Sequence, residues 1–176
     1  ASPAHCTAPP FLATATAKCG PKVKFQVCTS SGDPHYSPFA GRAQKFTMMG
    51  DGEHMLAQAG NWGVHSCQKD VHSNKKATKK KVTWNKDVVA FEGDDKVEVF
   101  ADGRVIVNGK VERTNVWRRG TRFTHTVKRA GKTVFSVRRA HRRRARVDIR
   151  FLSGKTVQLS YYEKKSGRFG NRKFIN

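Results

Sequence analysis

Arginine side chains give this sequence its clearest chemistry, because they occur in two dense runs, at residues 118–122 and 138–146. The planar guanidinium group can form two parallel hydrogen bonds to phosphate, sulfate or carboxylate, so these runs predict polyanion binding. Alternate residues of a strand share a face, and one face of this region would therefore present a row of guanidinium groups. The predicted contacts are Arg118, Arg119, Arg122, Arg138, Arg139, Arg142, Arg143, Arg144 and Arg146.

A lysine-rich stretch at residues 73–81 adds to this charge. Its basic residues are Lys75, Lys76, Lys79, Lys80 and Lys81, and Ala77 is its one apolar residue. Taken alone, such a stretch is more typical of a solvated loop. We include the five lysines in the predicted polyanion surface because the rest of the chain is so basic.

The net charge is +22, from 35 Lys+Arg against 13 Asp+Glu. Residues 101–176 hold 22 of the basic and 4 of the acidic residues, so most of the excess lies in the C-terminal part. Self-repulsion of this size destabilises a compact domain unless anions are close. The composition therefore predicts an anionic partner.

Nucleic acid is one such partner, and proteins that bind single strands add exposed aromatic residues for base stacking. The aromatic residues of the basic region fall in predicted strands, which favours positions in the core. They are Phe123, Phe135, Phe151, Tyr161 and Tyr162. Nucleic-acid binding is therefore the alternative function, not the first.

Strand patterns position these side chains. Residues 1–22 are rich in Ala, Thr and Pro and are predicted to form an irregular N-terminal arm, followed by one β domain at 23–176. Asp102-Gly103 and Asn108-Gly109 separate three valine-rich segments and favour tight hairpins, which predicts a three-stranded meander over residues 96–111. Other strands are predicted at 22–27, 45–48, 54–58, 61–67, 82–84, 87–91, 121–128, 133–138, 145–152 and 156–162, with a turn at Asn85-Lys86. No segment has sustained helical periodicity, so the predicted fold is all-β, an antiparallel two-sheet β-sandwich.

A turn motif, Gly32-Asp33-Pro34-His35-Tyr36, lies between Cys28 and Gly41. Asp before Pro favours a turn, because the carboxylate can bond nearby backbone N–H groups and proline presets its own φ. With the flanking Cys28, Phe39 and Gly41, the motif resembles the opening of a von Willebrand factor type D domain. The similarity extends over residues 23–171: through 45–56, the strand-Asn-Gly turn at 105–109, and a closing block at 167–171 in which Phe169 replaces an expected cysteine.

The resemblance implies a β-sandwich of that type in a secreted, extracellular protein. The implied function is a structural or adhesive module that binds acidic matrix, acidic polysaccharide or acidic partner subunits, in a homo- or hetero-assembly. We expect no enzymatic activity and no cofactor. The sequence contains no run of about 18 apolar residues, so no membrane span is expected.

In some members of that family the Asp–Pro peptide bond of the motif cleaves itself. Asp33 would be the nucleophile, Pro34 would follow the broken bond, and His35 would donate the proton. We expect instead that the motif shapes a turn, packs Tyr36 and stays intact. The family also often binds Ca²⁺ just after the closing block, but Asp33 and Asn171 are the sole matching positions here, and residues 171–176 contain no acid. We therefore predict no metal site.

The four cysteines, Cys6, Cys19, Cys28 and Cys67, allow three pairings. The implied secreted context favours oxidation, and the expected bridges are Cys6–Cys19 and Cys28–Cys67. Free thiols in a reducing compartment remain the alternative. No Cys-x-x-Cys pair occurs, and the spacing of His65, Cys67 and His72 matches no structural zinc pattern.

Overall fold

The computed structural model describes residues 27–31, 35–39, 46–47, 50–72, 81–140, 145–164 and 172–175. Within these ranges the regular structure is entirely β-strand, and neighbouring strands pair antiparallel. The predicted all-β class is confirmed. The predicted N-terminal arm lies outside the described residues.

The strands form three sheets, each ordered as in the chain. A small sheet contains β1 (Thr29–Ser31), β2 (His35–Ser37) and β3 (Phe46–Thr47). A six-stranded sheet contains β4 (Gly52–Ala59), β5 (Trp62–His72), β6 (Lys81–Glu92), β7 (Asp95–Phe100), β8 (Val105–Val107) and β9 (Lys110–Arg113). A five-stranded sheet contains β10 (Thr124–Arg129), β11 (Lys132–Ala140), β12 (Arg146–Phe151), β13 (Thr156–Lys164) and β14 (Arg172–Ile175).

The predicted meander is confirmed as β7, β8 and β9. Asn108 and Gly109 have φ values of 49° and 82°, and a two-residue hairpin turn with positive φ at both central positions matches the twist of the flanking strands. This geometry explains why Asn-Gly occupies the turn.

The predicted turn at Asn85-Lys86 is wrong, because β6 runs through these residues as one strand. Cys67 pairs with Asp87 and Gln68 pairs with Asn85, so Lys86 is the extra residue of a β-bulge. The Asn85 side chain is buried and accepts a 2.7 Å hydrogen bond from the Ser66 hydroxyl. This partner lets a turn-forming residue stay within a strand.

One hydrophobic core cluster draws side chains from both large sheets, including Val97, Val99 and Val105 from one and Val137 and Ile149 from the other. Among the described side chains, three polar contacts also join the two sheets. They are Arg129–Asp95 at 2.8 Å, Lys155–Glu92 at 3.3 Å and His125–Glu112 at 3.4 Å. Each large sheet therefore contributes both apolar and ionic contacts to its neighbour.

The small sheet, which the two-sheet prediction did not include, attaches to the β5–β6 hairpin through polar side chains. Buried Tyr36 accepts a hydrogen bond from the Gln68 amide, and Asn85 donates a 3.1 Å bond to the Ser30 hydroxyl. Burial raises the pKa of the Tyr36 hydroxyl. The tyrosine of the turn motif thus has a docking role.

Across the described ranges, no helix has the length and apolarity needed to cross a membrane.

Candidate polyanion-binding surface

The two arginine runs, which are separated in sequence, meet at one end of the five-stranded sheet. Thr124, at the start of β10, pairs with Arg138 near the end of β11. Beyond this pair, the Arg139 amide donates a 3.0 Å hydrogen bond to the Phe123 carbonyl. The loop before β10 therefore lies beside the end of β11. We call Arg118, Arg119, Arg122 and Arg138 the arginine rim.

Two successive turns shape the loop that carries three rim residues. The Arg118 amide donates to the Asn115 carbonyl at 3.1 Å, and the Thr121 amide donates to the Arg118 carbonyl at 3.1 Å. Trp117 anchors the loop, because its buried ring stacks on Tyr161 at 5.1 Å and its Nε1 donates a 2.7 Å bond to the Phe100 carbonyl. The neighbouring arginines are consequently held at the surface.

All four rim guanidinium groups are exposed. Within the described part of the chain, none of them has an ion-pair partner. Four exposed cations at one sheet end produce a positive potential that attracts anions, and the carboxylate of Asp148, which lies opposite Arg138, is bound by Arg146. The rim is therefore the described part of the predicted surface that is available to a polyanion.

Arg139 belongs to the predicted contacts, but the structure uses it differently. It follows Phe135 and Val137 on the inward side of β11, is half-buried, and donates from Nη1 to the Thr121 carbonyl. Burial lowers the pKa of Arg139, because a charged group loses solvation there. Arg139 thus holds the arginine-bearing loop against β11, and its assignment as a surface contact is corrected.

Arg146 is also engaged within the chain. Its Nε lies 2.6 Å from Asp148 Oδ1 and its Nη2 lies 3.2 Å from Oδ2, and the Asp148 side chain is 2% exposed. The hydrogen bond that Arg146 donates to Asp148 raises the pKa of Arg146. A guanidinium that is committed to a buried carboxylate is a poor ligand for an external anion, so this predicted contact is corrected as well.

The remaining predicted contacts are outside the described side chains. Strand β6 begins at Lys81, whose side chain is not described. Lys75, Lys76, Lys79, Lys80, Arg142, Arg143 and Arg144 lie outside the described residues. Their assignment as contacts stays a prediction.

Sequence reasoning missed other cations of the same sheet. Arg150 and Lys128 are exposed, and Arg150 pairs with Ser136 two residues along from Arg138. In β14, Arg172 pairs with Lys164 and Lys173 pairs with Glu163, near the end of β13. The Tyr161 amide of β13 donates to the Ala145 carbonyl, so this end of β13 lies at the rim end of the sheet. Strand parity would have identified Arg150, because it alternates with buried Ile149 and Phe151.

The aromatic residues of the basic region are mostly internal. Phe135 and Phe151 are buried and contact each other at 5.9 Å, and Tyr161 stacks on Trp117. Burial raises the pKa of Tyr161 to about 12. Tyr162 is exposed, at 42%, and is the exception to the core positions that the sequence predicted. The described rim therefore offers charge without a row of stacking rings.

The cysteines depart from the expected pairing. Cys67 is disulfide-bonded, whereas Cys28 is a free thiol, so the predicted Cys28–Cys67 bridge is wrong. The partner of Cys67 lies outside the described residues, as do Cys6 and Cys19. Burial raises the pKa of the Cys28 thiol. Sequence spacing gave no signal for this choice, because pairing depends on which strands the tertiary fold brings together.

The turn motif shows no assembled cleavage site in its described part. The exposed His35 ring contacts the Thr47 hydroxyl through Nδ1 at 2.8 Å, and Asp33 and Pro34 lie outside the described residues. That the bond stays intact remains a prediction.

Ca²⁺ does not fit the residues at the family's usual position, because Arg172 and Lys173 follow Asn171 there without a carboxylate. Elsewhere in the described ranges, no group of three or more His, Cys, Asp or Glu side chains is placed to hold a metal ion.

A comparison with protein families matches the model of the von Willebrand factor type D domain to residues 28–171. No solved structure matches the chain significantly.

Proposed function

Because the chain belongs to the von Willebrand factor type D domain family, we propose that it is a secreted structural module that binds acidic polysaccharide through its arginine rim. Domains of this family are typical of extracellular proteins and commonly take part in multimeric assembly. In such an assembly the module contributes electrostatic adhesion to an acidic matrix or to acidic subunits. The function requires no enzymatic turnover.

The observation that carries this proposal is the meeting of two arginine runs at one sheet end. Arg138 lies on β11 and Arg118, Arg119 and Arg122 lie on the adjoining loop, so four exposed guanidinium groups come from two distant segments. A solvated charge run needs no such meeting. The bond from Arg139 to Thr121 and the Trp117–Tyr161 stack support the proposal, because they hold the loop in place.

Acidic polysaccharide is favoured over nucleic acid by the packing of the aromatic residues. Single-strand binding proteins gain about 1–3 kcal/mol for each base that stacks on an aromatic side chain. In the described part of the basic region, Phe135, Phe151 and Tyr161 are committed to internal contacts. Sulfate and carboxylate groups need guanidinium donors and no stacking partner.

The test compares two triple variants that each remove three exposed positive charges. Arg118→Ser/Arg119→Ser/Arg122→Ser changes the rim, and Lys69→Ser/Lys110→Ser/Arg113→Ser changes exposed positions of the six-stranded sheet. Binding to heparin, hyaluronan and double-stranded DNA is measured across a salt series. We expect the rim variant to lose about tenfold or more in heparin affinity and to show a flatter salt dependence, because each neutralised anion releases counterions.

The control variant should keep most of the affinity and the slope. Equal losses in both variants would mean that net charge alone drives binding and that the rim is a solvated surface. Stronger binding to DNA than to heparin, with the loss again confined to the rim variant, would favour the nucleic-acid function. Circular dichroism of both variants checks that the β fold is retained.

A further inference from the structure

Strand β4 is an edge strand that differs from the other described edges. It occupies one end of the six-stranded sheet and, among the described strands, pairs with β5 alone. At eight residues it is longer than β9, β10 and β14, and the end strands of the small sheet have three and two residues. A long edge presents backbone N–H and C=O groups to which another strand can pair.

Charge separates β4 from the other edges more sharply than length does. Strands β9, β10 and β14 each contain two Lys or Arg residues, and positive charge on an edge is a common device against strand pairing. Strand β4 reads Gly-Glu-His-Met-Leu-Ala-Gln-Ala and contains no Lys, Arg or Pro. In a chain with a net charge of +22, this is the one among the described edges of the two large sheets where two strands can pair without Lys or Arg of their own opposite each other.

We propose that β4 pairs antiparallel with β4 of a second copy of this chain, forming a symmetric dimer. Such a contact is isologous, so the same patch must suit itself, and an edge without Lys or Arg and with an exposed apolar side chain meets that condition. Met55 is 52% exposed and would be covered by the partner strand. A second copy is favoured over an acidic partner peptide, because β4 has no cation to receive one and has Glu53 as its one acid.

The β-bulge in β4 sets the strength of this contact. The register with β5 shifts between Met55 and Ala57, which leaves Leu56 as the extra residue. A bulge bends the strand and increases its local twist, so regular pairing is confined to one part of β4. The dimer is therefore weak and reversible.

The salt dependence of this dimer should be opposite to that of polyanion binding. Two copies at +22 repel each other, and the screening length shortens from about 10 Å at 0.1 M salt to about 3 Å at 1 M. Dimerisation should therefore strengthen as salt rises, whereas binding to the arginine rim should weaken. A polyanion on the rim would also reduce repulsion and promote the dimer at low salt, and this last step rests on the proposed function.

Sedimentation velocity over a range of protein concentrations tests the dimer at about 0.05 M and about 0.5 M salt, which brackets the strongest change in screening. Met55→Lys places a cation on the edge, twice in a symmetric dimer, and should raise the dissociation constant about tenfold or more. Val111→Lys is the matched control, because Val111 is 51% exposed on β9, the opposite edge of the same sheet. Wild type and Val111→Lys should dimerise alike, and more at high salt.

A wild-type protein that stays monomeric at both salt concentrations would overturn the proposal, and so would equal dimerisation by the Met55→Lys and Val111→Lys variants. Should Met55→Lys fail to fold, hydrogen exchange of the wild type decides. The amides of residues 52–59 should become more protected as protein concentration rises at high salt, and unchanged protection would refute pairing there. If high salt promotes dimers but heparin added at low salt does not, the proposed rim function is contradicted and the dimer proposal is retained.

Discussion

The six-stranded sheet has an Asp–Arg pair in the turn between β7 and β8, Asp102 and Arg104, and the five-stranded sheet has one within β12, Arg146 and Asp148. Arg104 Nε lies 2.8 Å from Asp102, and Arg146 Nε lies 2.6 Å from Asp148, and the partners' numbers differ by two in each pair. The arginines are equally exposed, at 33% and 34%, but Asp102 is 55% exposed and Asp148 is 2% exposed. We therefore expect burial of the acceptor, more than the presence of the pair, to decide how much each arginine contributes to stability.

The same distinction separates the arginines of the basic region. Arg138 and Arg139 are adjacent, yet Arg138 is exposed and Arg139 holds the Thr121 carbonyl from a half-buried position. A dense arginine run thus contains exposed side chains that are available to an anion and half-buried ones that support the fold, in alternation along a strand. Net charge overestimates the number of contacts in such a run.

The largest expected effect comes from breaking the buried pair. Asp148→Ala leaves the Arg146 guanidinium without its buried acceptor and should lower the free energy of unfolding by about 3 kcal/mol. Asp102→Ala removes an exposed pair and should cost at most about 0.5 kcal/mol. Urea denaturation of both variants measures the difference, and similar losses would show that acceptor burial does not govern these pairs.

The adjacent arginines should separate stability from binding. Arg139→Met loses a hydrogen bond that secures the loop and should lower the free energy of unfolding by about 1–2 kcal/mol. Arg138→Met should change stability by less than about 0.5 kcal/mol but weaken heparin binding at low salt. Thermal unfolding and a heparin salt series distinguish them, and the comparison fails if both variants lose stability alike.

A smaller effect is expected at Asp87 in the six-stranded sheet. Burial, followed by the nearby Asp102 carboxylate, raises the pKa of Asp87 from 3.8 to about 6. The native state therefore keeps a proton that the unfolded chain releases, so this group lowers stability as pH rises from about 4 to about 6, and its cost is constant above that window.

Asp87→Asn removes this cost. At pH 7 it should stabilise the protein by about 1–2 kcal/mol, allowing for partial solvent screening, and the gain should vanish near pH 4. Asp94→Asn, in the exposed β6–β7 turn, is the control. Urea denaturation between pH 4 and pH 8 measures both variants, and a gain independent of pH would contradict the assignment to Asp87 ionisation.

The smallest effect concerns thiol reactivity at the edge of the fold. Without reduction, iodoacetamide should label Cys28 and leave Cys67 unmodified. Because burial raises the pKa of the Cys28 thiol, its labelling at neutral pH should be slower than that of an exposed cysteine peptide. Peptide mass spectrometry before and after reduction reads both sites. Labelling of Cys67 without reduction would contradict the oxidised state.

Local patterns in the sequence determined the strands, the hairpin at Asn108-Gly109 and the family motif. Alternation of buried and exposed residues follows directly from the two-residue period of a strand, so β7 to β13 were predictable within a few residues. The same period predicts that Arg139 faces inward and Arg150 faces outward, whereas the density of positive charge alone does not distinguish the two. The turn predicted at Asn85 was wrong, because a turn-forming residue can stay in a strand when a distant hydroxyl, that of Ser66, hydrogen-bonds its side chain.

The tertiary structure alone decided which distant segments meet. The rim depends on the register between Thr124 and Arg138, and the role of Asp148 depends on burial that no local pattern encodes. The cysteine pairing has the same origin, since a disulfide forms between residues that the fold brings within about 7 Å. Contacts between remote strands come from the packing of whole sheets, and their energies depend on desolvation, which a linear sequence does not display.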